Sequence, residues 1–301
     1  MENKYPKISI ITVNFNSTKV TIELLQSLQK VMYPNFEVIV VDNGSKEPCR
    51  QLKIDFPWIS YIATGENLGF AGGNNVGIKK AKGEYLFLLN NDTEVDSFFL
   101  EPLIKRFNTN KKIGIVCPKI LYFDQPTTIQ YAGFKPINSI TGRGFSIGYL
   151  EKDNGQYDTA MCTSRAHGAA MMFSREAMNK VGLMAEIFFL YYEEMDYSER
   201  FKRAGYEIWY EPESKVWHKE SMSTGKESTL KAYYYGRNRL LYLRRNTSFL
   251  NKFLMYPYFI LVAIPKNNIH YLLKGQFKHL IYFIKGLFWN VLHYSKDSYD
   301  L

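Results

Sequence analysis

With 301 residues, 46% of them hydrophobic, the chain has the material for one large core, or for a core with an extension. Its three cysteines, Cys49, Cys117 and Cys162, are scattered and form no CxxC pair. That excludes a disulfide framework or a zinc cluster and makes a reducing cytosol the expected setting. The net charge of +9 is unevenly placed, since residues 231–301 carry all of it and the first 230 residues balance to zero. A basic tail of this kind calls for an anionic partner.

The first apolar run, 8–13, is far too short for a signal-peptide core and no small-residue cleavage site follows it. It reads as a strand ending in the polar Asn14-Phe15-Asn16. Ser17 or Thr18 can cap a following helix whose inner face is Val20, Leu24, Leu25, Leu28 and Val31. A second strand over 38–41 ends at Asp42-Asn43-Gly44-Ser45, and a third is expected over 61–63. The glycine-rich stretch 65–75 leads into a helix over 71–82 that Gly83 closes. Tyr85–Leu89 is a further strand, ending in Asn90-Asn91-Asp92, with a helix over 97–107 and a strand over 113–117 behind it.

This β-α-β-α alternation predicts a parallel sheet covered by helices. The first strand is not followed by GxGxxG, which argues against a nicotinamide-type Rossmann domain. Residues 119–164 break into short, turn-rich strands. A helix over 194–204, stopped by Gly205, precedes strands over 206–210 and 215–217.

Three polar clusters, Asn14–Asn16, Asp42–Ser45 and Asn90–Asp92, stand at three strand ends, and in an open α/β sheet such ends converge on one ligand-binding edge. Asp92 suits a hard divalent ion that carries phosphates, because Mg²⁺ is held by one or two carboxylates plus phosphate oxygens. Asp42 can accept a hydrogen bond from the imide N–H of uracil or thymine, or can simply form the Asn43-Gly44 turn. Glycines between Gly65 and Asn75 let backbone approach a ligand, and the helix start offers N–H groups to phosphate.

The carboxylates Glu193, Glu194 and Asp196 fall within four residues at a helix start, where repulsion and burial raise one pKa toward that of a general base. They are also what a helix N-terminus favours on electrostatic grounds alone.

Taken together, Thr12-Val13-Asn14-Phe15-Asn16, Val41-Asp42-Asn43-Gly44-Ser45, Asn67-Leu68-Gly69-Phe70-Ala71-Gly72-Gly73-Asn74 and Leu89-Asn90-Asn91-Asp92 resemble the family 2 glycosyltransferases, in the family's order and across residues 6–245. The nearest likeness is to their rhamnosyltransferase-like branch in bacterial polysaccharide assembly. The resemblance implies the GT-A fold, a nucleotide-sugar donor, a Mg²⁺ or Mn²⁺ ion and inversion at the anomeric carbon. It also implies that Asp42 reads the base, and that Thr12, Asn14, Asn16, Asn67, Gly72, Asn74, Asn90 and Asn91 line the nucleotide and diphosphate.

By the same resemblance, Asp92 binds the metal with His218 as a second ligand, and Glu194 is the base, with Glu193 or Asp196 in support. His167-Gly168-Ala169 matches the segment lining the donor sugar and acceptor cleft, or is a buried strand with a chance histidine. Arg237 or Arg239 either meets a diphosphate or belongs to a solvated basic helix face. The donor that the resemblance suggests is dTDP-rhamnose, with a UDP-hexose, or a non-catalytic nucleotide-sugar-binding scaffold, as the alternatives.

The expected domains are a catalytic unit, 1–245, with donor half 1–118 and acceptor half 119–245, and a basic tail, 246–301. In the tail the uncharged run 253–265 contains Pro257 and Pro265 and is too short to span a bilayer. From Phe277 a helical pattern places Leu280, Ile281, Ile284, Leu287, Phe288 and Val291 on one side, and Lys274, Lys278, Lys285 and Lys296 on a flank. A basic, aromatic amphipathic helix predicts docking on an anionic membrane at the cytosolic face of the inner membrane, beside a lipid-linked or polymeric glycan acceptor. Packing on the catalytic domain, or a homodimer contact, is the competing use of that face. The long apolar stretches argue against nucleic acid.

Overall fold

The computed structural model describes residues 5–219 and 228–293. Four apolar strands, β1 (Ile8–Asn14), β2 (Phe36–Asp42), β3 (Ile59–Ala63) and β4 (Tyr85–Leu89), pair in parallel in the order β3-β2-β1-β4. The cores of β1, β2 and β4 are buried on both faces, as parallel strands covered by helices must be, while β3 forms the partly exposed edge. The connections carry α1 (Thr18–Leu28), α2 (Leu52–Asp55) and α3 (Gly69–Lys80).

Beyond β4 the sheet changes sense. β9 (Ala170–Ser174) enters antiparallel between β4 and β6 (Ile113–Tyr122), and β10 (Glu207–His218) pairs in parallel with β6. The short β5 (Thr93–Val95) closes the far edge on β10, while β7 (Ile129–Tyr131) and β8 (Met161–Cys162) attach to β6 and β10. Helices α4 (Leu100–Thr109), α5 (Arg175–Val181) and α6 (Glu193–Arg203) complete the layer.

The two strands expected over 206–210 and 215–217 are one strand, β10, with a register shift between Glu211 and Lys215. Pro212 lies in that interval and has no N–H to give the ladder, so pairing slips there without ending.

Two glycines in and just after the glycine-rich stretch are needed for close packing. A Cβ on Gly77 would stand 2.4 Å from Ile11, and one on Gly72 2.7 Å from Leu68, so these glycines let α3 press onto the sheet and onto its own entry turn. Its first N–H groups are also taken: Leu68 donates to the Asn43 amide oxygen at 3.0 Å, Gly69 to Asn67 at 2.9 Å and Phe70 to the Phe189 carbonyl at 2.6 Å. The expected free helix terminus is spent on the chain itself.

The carboxy-terminal part is helical: α7 (Thr229–Asn246), α8 (Phe249–Tyr258), a π-helical turn at Phe259–Ala263, α9 (Ile264–Leu273) and α10 (Phe277–Leu292). The π turn follows Pro257 by two residues, the usual consequence of a ring that interrupts the i to i−4 ladder.

The domain boundary expected at 245/246 falls in the last turn of α7, beyond which the tail folds back. α10 lies along α7 at a glycine contact, where a Cβ on Gly286 would sit 2.3 Å from the Tyr233 carbonyl oxygen. Beside it the buried Asn290 donates to the Arg237 carbonyl at 3.0 Å and accepts from Arg244 at 3.1 Å. Leucine at Gly286 should force the helices apart and lower stability by about 1–3 kcal/mol. Denaturant unfolding measures this, and an unchanged midpoint would mean that α10 is not seated there.

The apolar stripe expected on α10 is present but faces outward. Phe283, Gly286 and Asn290 form the inner face, whereas Phe277, Ile281, Phe288 and Val291 are 61%, 52%, 58% and 69% exposed. Lys274, Lys278 and Lys285 are exposed beside them; Lys296 lies outside the described residues. No helix among the described residues is long and apolar enough to cross a membrane.

Candidate active site

A cavity of about 1010 Å³ opens beyond the carboxyl ends of β1, β2 and β4. This is where the strand order places it. Val13, Asn43, Asn67 and Asn74 line one side, Asn90, Asn91 and Asp92 the middle, and His167, Gly168, Ala169, Glu193, Glu194 and His218 the other.

At its centre two distant segments meet. β4 delivers Asp92 just past its end, and β10 ends on His218, whose Nε2 is 3.1 Å from Asp92 Oδ1. His218 Nδ1 is 2.8 Å from Gln130 Oε1 on β7. A carbonyl oxygen only accepts, so Nδ1 carries the proton and the Nε2 lone pair faces a carboxylate oxygen. Two acceptors this close require a cation between them, either a proton or a metal ion. Burial pushes the Asp92 carboxyl up, but the His218 hydrogen bond and charge outweigh it and hold the group below its ordinary value.

An oxygen and a nitrogen donor converging in a cavity suit Mn²⁺ or Mg²⁺. Among the described residues no third His, Cys, Asp or Glu joins them, which leaves the other positions to water and phosphate oxygens.

The acids sit at the start of α6, and the loop before them is strained. Phe189, Tyr191 and Tyr192 adopt φ of 62°, 67° and 75°, which non-glycine residues rarely accept. Asn238 on α7 holds that loop by donating its amide to the carbonyls of Phe188 at 2.9 Å, Leu190 at 2.7 Å and Tyr191 at 2.8 Å. Gly69 is required on the other side, because a Cβ there would stand 2.2 Å from the Phe189 carbonyl oxygen.

Glu194 lines the cavity against the bare backbone of Gly168, whose Cβ position is 3.6 Å from Glu194 Cγ. Burial raises its carboxyl pKa, with the Arg165 guanidinium opposing. Glu193 is 4% exposed with Oε2 unpartnered, and burial followed by the Glu194 charge raises it well above the carboxylate range. The pair therefore holds a proton on Glu193 more readily than on Glu194. Asp196 is elsewhere: it is fully buried and accepts from Arg245 at 3.0 Å and Asn246 at 2.9 Å, pinning α6 to the end of α7.

Several other expected residues do not reach the cavity wall. Asp42 is 1% exposed, and its carboxylate already accepts from Ser45 at 2.5 Å, Tyr61 at 2.8 Å and Asn14 at 3.3 Å; its neighbour Asn43 borders the cavity, with its amide bonded to Leu68, Asn67 and Gly69. Asn14 is a buried hub that also accepts from Thr21 at 2.9 Å. Thr12 is buried, Asn16 accepts from the Lys46 N–H at 2.9 Å, and Gly72 packs on Leu68.

His167 is on the wall. Burial, then the His218 and Arg165 charges, lowers its pKa to about 3. Its Nδ1 accepts from Ala169 N–H at 3.2 Å, which leaves Nε2–H as a donor. Arg237 meets neither expectation: it is buried, donates to the Ile187 carbonyl and lies 4.1 Å above the Trp289 ring, whereas Arg239 lines the cavity.

Residues 9–182, more than half of the chain, match the profile of Glycosyl transferase family 2. A Haloferax volcanii protein, the low-salt glycan biosynthesis hexosyltransferase Agl10, is 30% identical over 242 residues, spanning 78% of this chain and 74% of its own. The chain belongs to glycosyl transferase family 2.

This glycosyltransferase is also 26% identical to the poly-beta-1,6-N-acetyl-D-glucosamine synthase of Staphylococcus epidermidis, over 70% of this chain but only 49% of that one. Among solved structures, GalNAc-T7 with UDP, GalNAc and Mn²⁺ superposes with a TM-score of 0.68 at 16% identity, covering 98% of this chain and 59% of that chain. The Pyrobaculum calidifontis mannosyltransferase PcManGT with GDP-Man and Mn²⁺ gives 0.57 at 14%, covering 96% and 76%. The fold is of the GT-A type.

Sequence reading missed Gln130, Asn238 and Arg165 as parts of this site. Asn238 left a trace, since it stands three and four residues before the buried Leu241 and Tyr242 as a polar residue on an apolar stripe. Gln130 lies in the turn-rich region and Arg165 just after it, and neither left a trace.

Proposed function

We propose that this glycosyltransferase is an inverting, divalent-metal-dependent enzyme that moves a sugar from a nucleotide-sugar to a hydroxyl of a lipid-linked or polymeric glycan. The observation that carries the reading is the placement of the Asp92–His218 pair and Glu194 on the walls of one cavity. Glu194 takes the proton of the acceptor hydroxyl as that oxygen bonds to the anomeric carbon, and the bond from this carbon to the nucleoside diphosphate breaks. Asp92 and His218 would hold the ion, which supplies charge neutralisation for the departing diphosphate. Asn67 and Asn74 bind the donor, and His167 Nε2–H donates to a sugar oxygen. The Mn²⁺ in the two solved neighbours favours metal use.

The relatives' names favour a hexose donor, while the motif resemblance favours dTDP-rhamnose. A panel of UDP-glucose, UDP-N-acetylglucosamine, GDP-mannose and dTDP-rhamnose, scored by nucleotide release with and without Mn²⁺, decides between them. Release from none of them would favour the scaffold reading.

The outward apolar face of the tail supports docking on an anionic membrane. Among the described residues, 17 of the 28 exposed large hydrophobic residues lie between Phe249 and Leu292, interspersed with Lys252, Lys266, Lys274, Lys278 and Lys285. We expect Ile281→Glu with Phe288→Glu to release the full-length protein from phosphatidylglycerol vesicles while nucleotide binding persists. Salt should weaken the wild-type association without abolishing it, because each lysine near the surface contributes about 1 kcal/mol and the apolar contribution is unscreened. Wild-type protein that stays in the supernatant as a dimer would assign the face to a second subunit.

A further inference from the structure

The cavity carries a group of cationic side chains on elements that contact the tail. Arg143, Arg165 and Arg239 all line it. They come from the acceptor half and from α7, away from the asparagines that face the donor. They share the cavity with Glu194 and Tyr192, and their charges oppose the rise that burial imposes on the Tyr192 hydroxyl.

Two of the three carry donors with no partner. Arg165 stacks 3.7 Å over the Phe134 ring and leaves a buried Nε unbonded. Arg239 donates Nε to the Thr141 carbonyl at 2.7 Å, while its Nη2 is buried and unbonded. Guanidinium donors without acceptors are costly to bury unless an anion arrives.

The loop that bears Arg143 is fixed to the tail. Ser139 accepts from Thr247 at 3.0 Å through its carbonyl and from Asn251 at 3.0 Å through its hydroxyl. Arg239 itself lies 5.0 Å over Phe259. The tail also forms the cavity rim, through His270, Tyr271 and Lys274. Next to Lys274, Leu273 and Phe277 are 84% and 61% exposed, so the cationic rim passes directly into the apolar outer face.

We propose that Arg143, Arg165 and Arg239 form an anion subsite for the phosphate of a lipid-linked acceptor, whose hydrocarbon chain leaves the cavity past Lys274 onto the exposed apolar face of α9 and α10. The inference rests on the transferase reading and deepens it by naming the acceptor class, a long-chain lipid phosphate or diphosphate that bears the accepting hydroxyl. Three guanidinium groups provide the fork geometry that phosphate takes. A cavity of about 1010 Å³ has room for such a group beside a donor.

Calorimetric titration of the full-length protein with decyl phosphate, inorganic phosphate and decanol tests this without donor or metal. Decyl phosphate should bind about 10-fold or more tightly than inorganic phosphate, and decanol should not saturate the site. Arg143→Gln, Arg165→Gln and Arg239→Gln should each weaken decyl phosphate by about 10-fold and leave UDP binding with Mn²⁺ unchanged. Arg143 is exposed, so its variant reports on binding without risk to the fold, and Arg239→Lys preserves charge at the partly structural position.

Unaltered decyl phosphate affinity in the three variants would overturn the subsite. Parallel loss of UDP affinity, or competition between UDP and decyl phosphate, would assign the arginines to the donor and overturn it equally. Inorganic phosphate binding as tightly as decyl phosphate would remove the lipid. A wild type that binds decyl phosphate but releases nucleotide from no donor would retain the subsite and sink the transferase reading instead.

Discussion

Glu194→Gln should lower turnover by about 10²-fold or more, the usual contribution of a positioned general base, while donor affinity stays at the wild-type level. Glutamine keeps the side-chain shape against Gly168 and removes the oxygen that accepts the proton. The neighbouring acid behaves oppositely. Glu193 is buried with an unpartnered oxygen and holds its proton, so Glu193→Gln mimics its resting form and should retain most of the activity.

The pH profile gives a second check. Burial raises the Glu194 carboxyl, and catalysis needs its ionised form, so kcat/KM should fall on the acid side at a pH above the ordinary carboxylate range. Stability runs the other way. A carboxyl raised in the folded state stabilises it fully at low pH and loses that contribution as pH rises through the folded-state value. Glu193→Gln should therefore raise Tm most at alkaline pH. Steady-state kinetics with calorimetric donor binding decide the roles. If Glu193→Gln is the inactive variant and Glu194→Gln is active, the base is Glu193.

Asp92→Ala should reduce Mn²⁺-dependent UDP binding by about 100-fold or more, since it removes one of the two donors found among the described residues and even outer partners of metal ligands contribute about 10–100-fold. Only the carboxylate is removed, because the Asp92 carbonyl still accepts from the Lys219 N–H at 2.8 Å and the strand end keeps its shape. Gln130→Leu tests the tautomer argument. With no acceptor on Nδ1, the His218 ring loses the bond that aims its Nε2 at Asp92, and metal affinity should drop by about 10-fold. Titrations of UDP with and without Mn²⁺ on these two variants and on His218→Ala read all three effects. A Mn²⁺ response identical to wild type in Asp92→Ala would end the metal assignment.

What the sequence determined by itself is the sheet and its functional edge. Short, β-branched-rich or apolar runs at 8–13, 38–41 and 85–89, each bounded by turn residues, read as buried strands, and the polar residues after them mark the edge where ligands bind. The adjacency of Glu193 and Glu194 at a helix start, and the basic tail with its apolar stripe, were legible for the same reason. Each is a pattern of local spacing.

Tertiary structure alone decided which polar residues face the cavity. Asn14, Asp42 and Asp196 look no different in sequence from Asn90 and Glu194, which line the cavity, yet the first three meet Thr21, Tyr61 and Arg245 inside the protein and are consumed there. Gln130 joins His218 across 88 residues, and Asn238 holds the loop before the acids across about 50. Such pairings depend on how strands and helices are stacked, because a polar side chain acts on a ligand only when no internal partner satisfies it first. The same holds for α10: its period fixed the apolar stripe, but the glycine contact with α7 turned that stripe outward.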